Sequence, residues 1–125
     1  MLPAPRTDAL SLADVLASCL GAVRGEPNRL SLRPVQNAVV VLVDGLGAEA
    51  LRRRLGHART LAGAFGSKSS IDAGFPTTTA SALASLTTGV APGQHGLVGY
   101  SVLDTDNDRV VNQLSGWDDR IDPAT

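Results

Sequence analysis

Residues 37–43, Asn-Ala-Val-Val-Val-Leu-Val, are an almost unbroken apolar run that ends at Asp44-Gly45-Leu46-Gly47. A run of this length, rich in β-branched residues and bounded by glycine, predicts a strand buried on both faces, as in the parallel sheet of an α/β fold. Asp44 then falls at the strand's C-terminal edge, where open α/β sheets collect their ligands. Downstream, Phe75-Pro76-Thr77-Thr78-Thr79 leads into Leu83, Leu86 and Val90 at helical spacing, with Gly89 and Pro92 as stop signals. A carboxylate at a strand end and a hydroxyl at a helix start can together hold a metal and a phosphate.

The surrounding segments fit one α/β unit. Pro3 and Pro5 make residues 1–10 an extended arm. Ser11-Leu-Ala-Asp14 is a capping-box-like start, and Leu12, Val15, Leu16, Cys19, Leu20 and Val23 repeat as one apolar helical stripe that Gly25 and Pro27 end. Helices are expected over 48–55 and from a cap at Thr60 to Phe65. A weaker strand is expected over 69–73, a glycine-punctuated loop over 94–99, and a β-hairpin from 100–104 and 109–114 around Thr105-Asp-Asn-Asp108.

Composition narrows the function classes. In 125 residues, 43% hydrophobic with net charge -1, the 11 basic residues are balanced by 12 acids, so no nucleic-acid-binding face is read. Arg52-Arg53-Arg54 points in three directions on a helix and reads as solvated surface. Cys19 is the single cysteine, which excludes an internal disulfide, and it reads as a small core residue. No membrane segment and no signal peptide is seen, so a cytoplasmic location is expected.

A covalent phosphoryl-transfer site needs a nucleophile, a means of lowering its pKa, and positive charge on the phosphate oxygens. Thr77, Thr78 and Thr79 supply hydroxyls, and the helix start supplies N–H groups and partial positive charge. Taken singly, the threonines read rather as helix caps and Asp44 as a residue that caps or tightens the turn into the next helix.

Taken in order, Val41-Leu-Val-Asp44-Gly-Leu-Gly47, Phe75-Pro-Thr-Thr-Thr79, Leu86-Thr-Thr-Gly89 and Pro92-Gly-Gln-His95-Gly96 resemble the N-terminal part of the alkaline phosphatase superfamily. The likeness is strongest to its nucleotide pyrophosphatase/phosphodiesterase branch. That resemblance implies the N-terminal part of a three-layer αβα sandwich with a mostly parallel sheet and a C-terminal β-hairpin. Residues 1–36 would be arm, helix and linker, and residues 37–125 the beginning of the catalytic domain.

It further implies a site of two divalent metal ions, zinc being expected, with Asp44 a ligand of one. Thr79 would be the nucleophile and a second ligand of the same ion, and the other site would be completed by residues beyond Thr125. Thr77 and Thr78 become turn and capping residues, and His95 supports its loop. The implied substrate is a phosphodiester or nucleotide.

Two positions depart from the branch pattern. Ala80-Ser-Ala-Leu83 is smaller than the usual segment after the nucleophile, and Tyr100 stands where an asparagine would donate to a phosphate oxygen. Tyr100 or the nearby Asn112 is the expected replacement. His57 is expected to be exposed, and Asp104, Asp106, Asp108, Asp118, Asp119 and Asp122 to be solvated. With so few histidines, the sequence reads as the N-terminal portion of a larger enzyme. The alternatives are a non-catalytic α/β phosphate-binding module and a superfamily member acting on phosphomonoesters, sulfate esters or as a mutase.

Overall fold

The computed structural model describes residues 8–66 and 70–115. Its elements are α1 (Ala13–Arg24), α2 (Ala48–Arg52), α3 (Arg59–Ala64), α4 (Thr79–Thr88), α5 (Pro92–His95), β1 (Ser101–Asp104) and β2 (Arg109–Asn112). This is a mixed set of helices with one two-stranded antiparallel sheet. No helix among the described residues is long and apolar enough to cross a membrane.

α1 starts one residue after the expected cap: Leu12 is the N-cap and makes no side-chain cap bond, and of the expected capping box only the return bond forms, with Asp14 Oδ2 accepting the Ser11 N–H at 2.8 Å. It stops in a Schellman arrangement: Gly25 is left-handed (φ 71°), its N–H meets the Ala22 carbonyl, and Glu26 N–H meets the Gly21 carbonyl at 2.8 Å.

The face that α1 buries is not the apolar stripe. Ser18, Gly21 and Ala22 are buried, whereas Leu16, Leu20 and Val23 are exposed and Cys19 is only half-buried. The cause is the returning segment 26–35, whose backbone needs acceptors. Leu30 N–H donates to Ser18 Oγ at 3.2 Å, and Val35 N–H to the Ala22 carbonyl at 3.1 Å. Close approach of that backbone selects small residues: a Cβ on Gly21 would stand 3.1 Å from Asn28 Cβ.

α4 follows the expected signals closely. Thr78 is its N-cap, with Oγ1 accepting the Ser81 N–H at 3.3 Å, and Gly89 is its left-handed C-cap. It packs between α1 and α5, and its buried residues are Ala80, Ser81, Ala84, Ser85 and Leu86. Small side chains again let backbones meet, with the Ala13 carbonyl 3.6 Å from where a Gly89 Cβ would lie. The core is therefore a thin layer of alanine and serine around α4.

Several expectations are corrected. Residues 37–43 form no ladder with another described segment and are exposed, Val39 by 87% and Val41 by 78%. A strand exists only by pairing, and an apolar pattern specifies burial without supplying the neighbour. The segment at 69–73 reduces, over its described residues 70–73, to one parallel bridge, Asp72 to Ser11, held by Asp72 N–H to the Leu10 carbonyl (2.8 Å) and Leu12 N–H to the Asp72 carbonyl (3.0 Å).

α2 stops at Arg52 rather than Leu55 and continues as turns through His57, which is exposed as expected. Thr60 lies inside α3 and does not cap it. Arg52 and Arg53 both pair with Glu49, at 3.7 and 3.0 Å, so these two arginines stabilise the turn they sit on. The hairpin forms in the expected place, with Val102 opposite Val111 and Asp104 opposite Arg109.

Candidate functional site

Asp44 is presented by a tight turn. Leu46 N–H approaches the Val43 carbonyl at 3.5 Å, and Gly45 in the third turn position has φ 73°, a conformation open to glycine at no steric cost. Gly47 then starts α2 in extended conformation. On the other side, the Gly74 N–H donates to Asp72 Oδ1 (3.0 Å), the Phe75–Pro76 peptide is cis, and Thr78 caps α4. Thr79 is thus the first helical residue and is half-buried.

Across 35 residues of sequence these two side chains meet: Thr79 Oγ1 donates to Asp44 Oδ2 at 3.2 Å. The Thr79 and Ala80 N–H groups have no acceptor among the described residues, as expected for a first helical turn, and they bring partial positive charge to the same end of α4. One carboxylate, one hydroxyl and two free donors therefore share one locus.

The pair also fits part of a metal site. Two oxygens bound tetrahedrally at about 2.0 Å from one zinc stand about 3.3 Å apart, close to the separation seen. Among the described residues no group of three or more His, Cys, Asp or Glu side chains could hold a metal ion, so the fit is limited to these two donors. A concavity lies elsewhere, between α1 and residues 26–29, lined by the carboxylates Asp14 and Glu26, of which Asp14 is paired with Arg29 at 3.3 Å.

The other expected residues are placed as follows. His95 faces the interior of the α4–α5 contact: its Nδ1 accepts the Leu97 N–H at 3.0 Å, and its Nε2 lies 3.0 Å from Ser85 Oγ. Because Nδ1 accepts, the ring proton is assigned to Nε2, which donates to Ser85. Thr77 is exposed.

Tyr100 is exposed and follows the loop whose Val98 carbonyl accepts the Thr78 hydroxyl at 3.0 Å. Asn112 Oδ1 accepts from the Leu114 and Ser115 N–H groups, at 2.9 and 3.2 Å. Neither Tyr100 nor Asn112 is hydrogen-bonded to Asp44 or Thr79 among the described residues. Asp104 is committed to the hairpin turn, where Asn107 Nδ2 (2.9 Å) and Arg109 Nε (3.1 Å) donate to it. The Asn107 amide, then the Arg109 guanidinium, hold its carboxyl below the usual carboxylate range. Asp118, Asp119 and Asp122 lie outside the described residues.

Ser85 escaped the sequence reading. The sequence carried no clear signal for it, since Ser81 shares the buried face of α4 and its hydroxyl has no partner among the described residues.

The geometry defines a mixed α/β chain with a carboxylate–hydroxyl pair at a helix start. Residues 38–122 match the model of the type I phosphodiesterase / nucleotide pyrophosphatase family, and the chain belongs to that family. The resemblance to the nucleotide pyrophosphatase/phosphodiesterase-like branch of the alkaline phosphatase superfamily is thereby supported. No curated protein and no solved structure matches the chain significantly.

Proposed function

We propose that this chain carries the nucleophile and one metal ligand of a hydrolase that cleaves phosphodiester or nucleotide pyrophosphate bonds. The observation that carries this reading is the 3.2 Å contact between Thr79 Oγ1 and Asp44 Oδ2 at the N-terminus of α4. Family membership supports the reaction class.

In the first step Thr79 Oγ forms a bond to phosphorus, the bond from phosphorus to the leaving oxygen breaks, and the threonine becomes a phosphodiester or monoester. Water then cleaves that linkage and returns the hydroxyl. The Asp44 carboxylate orients the Thr79 hydroxyl by accepting its hydrogen bond, which leaves both lone pairs of the oxygen for the substrate, and on attack the hydroxyl proton is released while the leaving oxygen takes one up from water. The free N–H group of the half-buried Thr79 binds a phosphate oxygen.

A divalent ion, zinc by the superfamily resemblance, would be held by Asp44 and Thr79 and would lower the pKa of the hydroxyl. Further ligands and a second ion would complete the site. Tyr100, through its phenol, and Asn112, through its side-chain amide, are the candidate donors to a phosphate oxygen.

The test is turnover of an activated phosphodiester by the full-length protein. Thr79→Ala should abolish it with the fold intact, and Thr77→Ala should reduce it only mildly. Equal losses in both variants would overturn the assignment of Thr79. One observation favours a second reading, a non-catalytic phosphate-binding module: only two metal donors converge among the described residues. Failure of the full-length protein to bind any divalent metal would put that reading first.

A further inference from the structure

Ser85 is 2% exposed, and the hydroxyl of a helical serine does not need to be inside. Burial alone does not mark it, because Ser81 on the same face is 1% exposed and its hydroxyl has no partner among the described residues; what distinguishes Ser85 is the ring it holds. His95 Nε2 donates to Ser85 Oγ at 3.0 Å, and the same ring accepts the Leu97 N–H on Nδ1 at 3.0 Å. The imidazole thus bridges the body of α4 to the backbone after α5.

One residue further on, the Val98 carbonyl accepts the hydroxyl proton of Thr78 at 3.0 Å. That leaves the Thr78 lone pairs to accept the Ser81 N–H at 3.3 Å, the bond that caps α4. A hydroxyl that donates and accepts at once is held in one rotamer, and each bond polarises the other. Segment 95–98 is consequently fastened to α4 twice, at Ser85 and at Thr78, and the second fastening immediately precedes Thr79.

We infer that Ser85 and His95 are positioning residues for Thr79, acting through Leu97, Val98 and the Thr78 cap. This rests on Thr79 being the nucleophile, as proposed above. Neither side chain touches the reacting atoms. Their effect is to fix where the α4 N-terminus lies relative to Asp44, and a displacement of about 1 Å there is enough to cost on the order of 10²-fold in rate.

The relay is tested in the full-length protein with bis(4-nitrophenyl) phosphate. Ser85→Ala removes the acceptor of the ring proton. His95→Asn keeps an acceptor two residues before the Leu97 N–H, as in an Asx turn, but cannot reach Ser85. Both should lower kcat by about 10- to 100-fold with KM within about twofold, and the double variant should be no worse than the poorer single one, because the two act as a unit. In Ser85→Ala, amide exchange should quicken at Ser81 and Leu97.

Values of kcat within about twofold of wild type in both folded variants, or losses that multiply in the double variant, overturn the inference. Thr79→Ala serves as the control for the underlying reading. If that variant still turns over substrate, the nucleophile assignment falls, and the positioning of Thr79 falls with it. In that case quicker exchange at Ser81 would still show the link from Ser85 to the α4 cap.

Discussion

A single hydroxyl decides the start of α4. Thr78 Oγ1 gives its proton to the Val98 carbonyl and takes the Ser81 N–H, so its removal strands one donor and one acceptor. Thr78→Val, nearly isosteric, should destabilise the fold by about 1–2 kcal/mol in urea unfolding, within the range for a lost N-cap. Thr78→Ser should keep most of the stability, and equal stability of the valine variant would show the cap to be idle. Gly45 presents the complementary case. At φ 73° an alanine meets the left-handed penalty of about 1–2 kcal/mol, so Gly45→Ala should lower stability and move the Asp44 carboxylate. Loss of stability without loss of turnover in the full-length protein would mean that the turn does not place Asp44.

At the scale of elements, what could be read in the sequence is what local chemistry decides. Ser11 with Asp14, Gly25, Thr78 and Gly89 mark helix ends because each supplies a bond or a backbone angle that needs no distant partner. The hairpin belongs to the same class, its turn being closed by Asn107 and Arg109 on Asp104. Asp104 is titrated in the folded hairpin at lower pH than in the unfolded chain. Its contribution is therefore present above the usual carboxylate pKa and is lost as pH falls through the lowered value. Amide protection of Val110 and Val111 should fall across that acid window, and Asp104→Asn should remove the dependence. A dependence that persists in the asparagine variant would locate it elsewhere. By contrast, the buried face of α1 was not legible. The apolar stripe was real, but which face packs was settled by the backbone donors of Leu30 and Val35, and a periodic pattern does not carry that information.

For the whole molecule, the strand-like segment 37–43 carries the consequence. Val39, Val41 and Val43 are 87%, 78% and 55% exposed and Leu42 is 50% exposed, so apolar side chains on both sides face water from a segment that pairs with no other described strand. Contiguous apolar surface of this kind drives association, and an unpaired extended backbone is a template for strand pairing. Metal binding is limited in the same way, since among the described residues the proposed donors Asp44 and Thr79 supply two oxygens where a zinc site takes three or four protein ligands. The 125-residue chain by itself should therefore self-associate in light scattering, bind zinc weakly in calorimetry, and show no turnover of a phosphodiester. Replacing Val39 and Val41 by lysine should suppress association by setting charge along the exposed edge, while leaving zinc binding unchanged because neither residue belongs to the donor pair. A soluble monomer of the unmodified chain with zinc-dependent turnover would show that the donors described here already make a working site.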